Sequence, residues 1–270
     1  MTTMLTDEAA TTLCDDFMDQ GYIIIKRCIA TALLDQAKQI LTEKIYKQFK
    51  LKDNLVPGLL QAQSLMDPYD LRVMLQKELE YFDIPEQLLL SPALLKMLIH
   101  LLGPDLERQL KLELLVNAGG GNDFFIKKWH QEYWSGSGIF MLQVWTPIHM
   151  PEVAYGLELI PGSHKWGHIP HENRQPLHIP EDAQPVSMDI AEGDTAIIHA
   201  LCLHRTLATA GDTVRVATLN PVRNIYHEKA GFEHLRCYHP FHFSPLSKIQ
   251  KMLGNPHLSA FRLRGSQRNP

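Results

Sequence analysis

The sequence predicts an α+β fold with a mostly β core, arranged as a double-sheet jelly roll with flanking N-terminal helices. Apolar residues recur at helical spacing through the first hundred positions. From Asp105 to Val222, short segments with a period of two take over, and turns rich in Gly, Pro and Asp separate them. A helical layer followed by antiparallel strands favours two packed sheets with helices outside.

The helical half begins with a capped helix. Thr6 is a favourable N-cap, and Gly21 a favourable end, for a helix that runs through Ala9 and Met18. A short β-branched strand is predicted next, at 22–26. The same helical periodicity predicts further helices at 33–49, 64–79 and 91–102.

In the second half, alternation and turn residues predict a series of strands. They fall at 110–116, 124–130, 139–148, 157–161, 186–190, 194–199 and 214–222. Turns are expected at 119–123 and 211–212, and a late helix at 244–253. Because no linker separates the halves, we expect a single domain over 1–270. Its parts are a helix-rich 1–104, a β-core 105–223, and a C-terminal helical extension and tail 224–270.

Composition limits the function classes. The chain has 270 residues and a net charge of -4, so neither nucleic acid nor an anionic membrane is an expected partner. No apolar run is long enough to span a bilayer, and no secretory signal is evident. The four cysteines form no CxxC pair, which suggests reduced thiols in a cytoplasmic protein. A small-molecule substrate is the expected partner, and a homo-oligomer is left open.

One motif combines a histidine and a carboxylate at close spacing. His130 and Glu132 would face the same side of a strand, since side chains alternate there. A second histidine from a distant strand would complete a two-histidine, one-carboxylate face, the ligand set of non-heme Fe(II) oxygenases. His199 and His204 both follow the Gly193-Asp194 turn, and spacing alone does not decide between them.

Arg215 lies in an otherwise apolar or small segment. An arginine there is costly to bury unless it is paired. Its partner could be a carboxylate of the protein or a carboxylate of a ligand, and both alternatives remain open.

Several of these segments together resemble the phytanoyl-CoA dioxygenase family, over roughly 16–221. The resemblance is carried by Trp129-His130-Gln131-Glu132, by Ile160-Pro161-Gly162-Ser163-His164, and by Gly193-Asp194 ahead of the two histidines and Arg215. It implies a double-stranded β-helix, or cupin-like, fold. It also implies the cofactor Fe(II) with the co-substrates 2-oxoglutarate and O2.

The resemblance also implies roles for individual residues. His130, Glu132 and His204 would be the catalytic metal ligands, while Arg215 and Thr206 would bind the distal carboxylate of 2-oxoglutarate. Other positions would line the co-substrate pocket or organise the Pro-Gly-Ser-His turn, namely Gln131 and Trp145 for the pocket and His164 for the turn.

The chain departs from the family at Glu132, where Asp is usual. Glutamate reaches further by one methylene and can still ligate iron, as in the Jumonji-type oxygenases. We expect a hydroxylase that acts on a small metabolite. The alternative is a catalytically silent protein that binds metal and 2-oxo acid. The loop with His168, His171, Arg174 and His178 fits an anionic or polyhydroxylated substrate, and it equally fits a solvated loop.

Overall fold

The computed structural model describes residues 4–51, 54–118, 126–136, 138–151, 156–208, 213–227 and 238–258. Its helices are α1 Asp7–Gln20, α2 Thr31–Phe49, α3 Leu55–Leu65, α4 Pro68–Tyr81, α5 Ile84–Leu89, α6 Pro92–Leu102 and α7 Pro245–Met252. Its strands are β1 Tyr22–Ile25, β2 Leu106–Gln109, β3 Glu113–Ala118, β4 Leu142–His149, β5 Leu157–Leu159, β6 His171–Glu172, β7 Gln175–Pro176, β8 Val186–Ser187, β9 Thr195–His199, β10 His204–Thr206, β11 Val214–Asn224 and β12 Tyr238–His242.

The described strands form two main antiparallel sheets and one small hairpin. The larger sheet has the order β1-β9-β4-β11-β2-β12, and β3 also pairs with β11. The smaller sheet has the order β10-β5-β8, and β6 pairs with β7 alone. Long-range pairing of strands distant in sequence is typical of a roll, and the α+β prediction with a mostly β core is confirmed.

The two faces of the larger sheet are covered differently. Val216 and Val222 of β11 belong to a large apolar cluster that includes buried residues of α1 to α6. Ala217 and Leu219 of the same strand belong to a second cluster, which contains Leu159 of the smaller sheet. Since successive strand side chains point to opposite faces, one face packs on helices and the other faces the smaller sheet.

The first helix has the predicted ends. The Thr6 side chain accepts a hydrogen bond from the Ala9 amide, and Gly21 adopts the left-handed conformation with φ 79°. Gly21 leads directly into β1, which pairs with β9 at the edge of the larger sheet. The late helix is confirmed as α7, with Ser244 as its N-cap.

Two segment predictions were wrong, and a third was displaced, since the strand expected at 110–116 is β3 Glu113–Ala118. The helix expected at 64–79 is two helices, because Asp67 caps α4 at Pro68 and α3 has already ended at Leu65. The strand expected at 124–130 is absent from its described part: residues 126–129 are in no strand, and His130 makes a single bridge. Residues 124–125 and the turns at 119–123 and 211–212 lie outside the described residues.

Two further expectations concern the chain as a whole. No helix in the described ranges is long and apolar enough to cross a membrane. Cys14, Cys28 and Cys202 are free thiols, while Cys237 lies outside the described residues. The single-domain boundaries stay a prediction.

Candidate metal centre

His130 and His204 are brought together by a backbone bridge. The His130 amide donates to the His204 carbonyl at 3.0 Å, and the His204 amide donates to the His130 carbonyl at 3.1 Å. This antiparallel bridge joins His130, which lies in no named strand, to the first residue of β10. It holds the two imidazole rings with their centroids 4.2 Å apart. Two histidines separated by 74 positions therefore share one site.

Glu132 reaches the same site from a turn. The chain enters a short 3-10 helix at Glu132, which ends at Gly136 with φ 81°. The Oε1 atom of Glu132 lies 3.2 Å from His130 Nε2 and 3.8 Å from His204 Nε2. His130 and Glu132 therefore do not share a strand, and the predicted local conformation was wrong, although the two side chains do converge.

The geometry fits a single metal ion. One ligand atom from each of the three residues lies within 4.8 Å of the others. Two ligand atoms about 2.1 Å from an ion and at right angles to each other lie roughly 3 Å apart, so small adjustments would suffice. The Nδ1 atom of His130 contacts the Lys128 carbonyl at 2.7 Å, and that of His204 contacts the Cys202 carbonyl at 2.9 Å. With Nδ1–H donating there, each Nε2 lone pair is directed at the shared centre.

The charge states of the ligands also suit a metal. Burial, reinforced by His130, lowers the pKa of His204 to about 3, so its ring stays neutral. Burial pushes the pKa of Glu132 upward, but Lys127 and the two histidines outweigh it and hold that pKa well below the ordinary value. A neutral imidazole and an ionised carboxylate are the forms that bind metal.

Lys127 is the charged neighbour that the sequence interpretation missed. Its Nζ lies 3.4 Å from Glu132 Oε1 and 3.4 Å from Glu113 Oε1. Burial would lower the pKa of Lys127, but Glu132 and Glu113 outweigh it and raise that pKa. The available signal was a lysine three positions before His130, inside a segment interpreted as an apolar strand.

His199, the rival second histidine, lies elsewhere. Its ring packs against Phe17 of α1 and against His164, with centroid distances of 6.0 and 5.2 Å. Its Nδ1 accepts a hydrogen bond from the Leu201 amide. Burial, with a contribution from His164, lowers the pKa of His199 to about 4. His164 itself contacts the Met18 carbonyl, which ties the Pro-Gly-Ser-His turn to α1.

Arg215 is fully buried on the face of β11 that is turned toward the smaller sheet. Its guanidinium donates to Asn117 Oδ1 on β3 and to the backbone carbonyls of Gly156 and Leu207. These acceptors are uncharged, and burial lowers the pKa of Arg215 to about 10. Sequence interpretation missed Asn117 as a partner of Arg215. Asn117 lies two positions after Leu115 and therefore on the same face of β3.

Thr206 follows His204 on β10, on the same face of the strand. The register places His204 opposite Leu159 and Thr206 opposite Leu157, and both leucines belong to the cluster between the sheets. Thr206 directly precedes Leu207, whose carbonyl accepts from Arg215. Thr206 and Arg215 therefore lie near the same end of the space between the sheets.

Gln131 and Trp145 occupy different surroundings. The buried Gln131 amide donates to the carbonyls of Gly167 and Leu201 and accepts from the Ile169 amide. Trp145 is buried between the sheets, and its indole Nε1 has no hydrogen-bond partner among the described residues. Gln131 thus holds the backbone around residues 167–169 and 201 next to the candidate metal centre. The Trp145 indole N–H is a donor to which a bound molecule could supply an acceptor.

Two cavities flank the segment 126–128. One has a volume of about 310 Å³, and the residues that line it include His130, Glu132, Lys128 and Arg174. The other has a volume of about 550 Å³, and its walls include Thr206. Cavities of this size suit small organic molecules. The candidate metal centre therefore opens on a space that a substrate could enter.

The histidine-rich loop is partly a packing element. His168 lies against Tyr133, and His171 against Trp134, with ring centroids 5.4 and 4.4 Å apart. Arg174 is the member of this loop that reaches the smaller cavity.

Two sheets enclosing a buried His-Glu-His face define a jelly-roll protein with a candidate mononuclear metal site. Residues 17–217 match the family model described as Phytanoyl-CoA dioxygenase (PhyH). The chain belongs to the phytanoyl-CoA dioxygenase family. No curated protein matches the sequence. The family and the site together support an enzyme of the iron- and 2-oxoglutarate-dependent oxygenase type.

Solved structures share the fold at low sequence identity. The apo structure of ThoJ, a non-heme monooxygenase, has a TM-score of 0.59 at 16% identity, covering 96% of this chain and 100% of that one. The epimerase SnoN, in complex with Fe3+, alpha ketoglutarate and nogalamycin RO, has a TM-score of 0.55 at 15% identity, covering 82% and 85%. The alpha ketoglutarate dependent carbocyclase SnoK has a TM-score of 0.51 at 16% identity, covering 83% and 87%. These similarities confirm the double-stranded β-helix prediction.

Proposed function

We propose that this protein is an Fe(II)- and 2-oxoglutarate-dependent dioxygenase that hydroxylates a small, anionic or polar metabolite and releases succinate and CO2. The observation that carries the proposal is the convergence of His130, Glu132 and His204, with both Nδ1 atoms engaged by backbone carbonyls. When bound there, Fe(II) would supply the activation of O2 that these side chains cannot perform.

The protein's own groups would hold and orient the reactants. His130, Glu132 and His204 would bind the metal on one face and leave its other positions open for 2-oxoglutarate and O2. Arg215 and Thr206 would bind the distal carboxylate of 2-oxoglutarate, since both lie near the same end of the space between the sheets. The Trp145 indole N–H, buried and without a described partner, would donate to the bound co-substrate.

The roles of two neighbours are indirect. Gln131 would position the loops that carry the ligands, because its amide is hydrogen-bonded to three backbone groups. Lys127 would balance the charge of Glu132 and keep its carboxylate ionised. Neither residue needs to touch the co-substrate to affect its binding.

Anaerobic addition of Fe(II) and 2-oxoglutarate tests the proposal. We expect a visible charge-transfer band that is lost or greatly weakened in Arg215→Ala and retained in Arg27→Ala. The control removes an exposed arginine just after β1, a strand separated from β11 by β9 and β4. Under air, slow succinate formation without added substrate should follow. A wild-type protein that gives neither band nor succinate would refute the proposed function.

A second candidate is a protein that binds metal and 2-oxo acid but is catalytically silent. One observation favours it: the Lys127 ammonium lies 3.4 Å from the Glu132 carboxylate. The family resemblance adds the expectation of Asp at the position that Glu132 occupies. A charge-transfer band without succinate formation would support this candidate. Succinate formation by the wild-type protein would exclude it.

A further inference from the structure

Basic residues outnumber acidic residues in the lining of the cavity beside the candidate metal centre. Lys127, Lys128 and Arg174 are among the described residues that line it, and Glu132 is the one acid among them. Glu132 is assigned to the metal under the proposed function. The remaining wall therefore presents positive charge to any molecule that approaches the centre.

The cations of this wall differ in how they are paired. Lys127 forms ion pairs with Glu113 and Glu132. Lys128 and Arg174 are exposed, and neither has an ion-pair partner among the residues that the structure describes. By contrast, Arg205, close by on β10, is paired with Glu158. Two cations are thus left available at the mouth of the cavity.

The backbone of Arg174 has a positive φ, a conformation that residues with a Cβ atom disfavour. Asn173 and Arg174 form the two-residue turn between β6 and β7, and both have positive φ, 51° and 58°. Such a turn favours Asn followed by Gly, because a Cβ is disfavoured at positive φ. What distinguishes Arg174 from Arg27, which also has positive φ, is that Arg174 lines the cavity beside the candidate metal centre.

The hairpin that carries Arg174 is anchored to the metal motif. The His171 ring of β6 packs on Trp134 at a centroid distance of 4.4 Å. Trp134 lies two residues after Glu132, in the same 3-10 helix. Lys128 is joined to the centre as well, because its carbonyl contacts His130 Nδ1. The backbone segments that carry Lys128 and Arg174 are therefore both tied to the metal-ligand segment.

We propose that Lys128 and Arg174 form a subsite for an oxyanion of the organic substrate, a carboxylate, phosphate or sulfate group, at the mouth of the 310 Å³ cavity. This rests on the proposed function and narrows its substrate to an anion. A guanidinium and an ammonium bind such groups by charge-assisted hydrogen bonds. The anion would be held while the carbon to be oxidised lies toward His130 and Glu132.

Inorganic sulfate is the probe for this subsite. Protein loaded with Zn(II), which does not turn over, and with saturating 2-oxoglutarate would be titrated with sulfate by calorimetry at constant ionic strength. Saturating co-substrate keeps sulfate from the Arg215 site. We expect Arg174→Gln and Lys128→Gln each to weaken sulfate binding about tenfold or more. Arg27→Gln and Lys111→Gln should bind sulfate as the wild type does.

Arg27 is a matched control because it is exposed and also has positive φ, at 50°. A wild-type protein that binds no sulfate, or an Arg174→Gln protein that binds it unchanged, would overturn the subsite. An Arg174→Gln protein that instead loses 2-oxoglutarate affinity would also overturn it, since the anion held would be the co-substrate. Arg174-dependent sulfate binding in a protein that binds no 2-oxoglutarate would support the subsite and refute the proposed function.

Discussion

Replacing Gln131 with leucine separates a structural role of this residue from a role in co-substrate binding. The Gln131 side chain is 1% exposed. Its Nε2 donates to Gly167 O at 2.9 Å and Leu201 O at 2.7 Å, and its Oε1 accepts from Ile169 N at 3.0 Å. Leucine has a similar volume but makes none of these bonds, so three backbone groups would lose their partner.

The expected cost follows from those three bonds. Each contributes about 1 kcal/mol net, and a buried backbone group left without a partner costs about 1–3 kcal/mol. We therefore expect Gln131→Leu to lower the free energy of unfolding by about 3–5 kcal/mol. For a chain of this size, that corresponds to a fall in Tm of roughly 5–10 °C.

Urea and thermal unfolding of the metal-free protein measure this cost. Gln39→Leu is the control, because Gln39 is exposed and its side chain, among the described residues, bonds to Glu43 one turn away and to no other group. That control should change the unfolding free energy by less than about 0.5 kcal/mol. Unchanged stability of Gln131→Leu, combined with weaker 2-oxoglutarate binding, would refute this reasoning and return Gln131 to the co-substrate pocket.

Two further perturbations test the scaffold. Gly21→Ala and Gly254→Ala both place a Cβ at positive φ, at a cost of about 1–2 kcal/mol. Only at Gly21 would that Cβ meet a side chain, His164 Nδ1 at 2.4 Å, so Gly21→Ala should lose roughly 1 kcal/mol more by thermal unfolding; equal losses would contradict the packing of His164 there. Burial would raise the pKa of Glu192. Hydrogen bonds from His149, Lys38 and the Met150 amide outweigh burial and lower the pKa of Glu192 to about 2. A lowered folded-state pKa gives stability above the unfolded-state pKa, which is lost as pH falls. Glu192→Gln should therefore be about 1–2 kcal/mol less stable at pH 7, with the difference closing between about pH 5 and 2; a pH-independent difference would contradict the assigned contacts.

Local signals predicted much of the helical layer. Thr6 and Gly21 mark the ends of α1 because capping chemistry is local. The break between α3 and α4 was missed although Asp67-Pro68 carries the N-cap and first-turn preferences of a helix start. There, continuous apolar periodicity across two helices concealed the boundary.

The candidate site depended on information that spacing does not contain. The bridge between His130 and His204 joins residues 74 positions apart, and no local pattern encodes it. The family resemblance supplied the choice of His204 over His199. Alternation in a strand was the wrong reason for the contact between His130 and Glu132, since a 3-10 helix begins at Glu132. Lys127 and Asn117 were missed because their partners come from distant elements.

Metal titration tests the central claim most directly. Anaerobic calorimetry with Mn(II) or Fe(II) should show one ion bound per wild-type chain. Binding should be lost in His130→Ala, Glu132→Ala and His204→Ala. His199→Asn should still bind one ion, because His199 packs against α1 and not at the centre. Wild-type stoichiometry and affinity in His204→Ala would contradict the claim that these three side chains hold one metal.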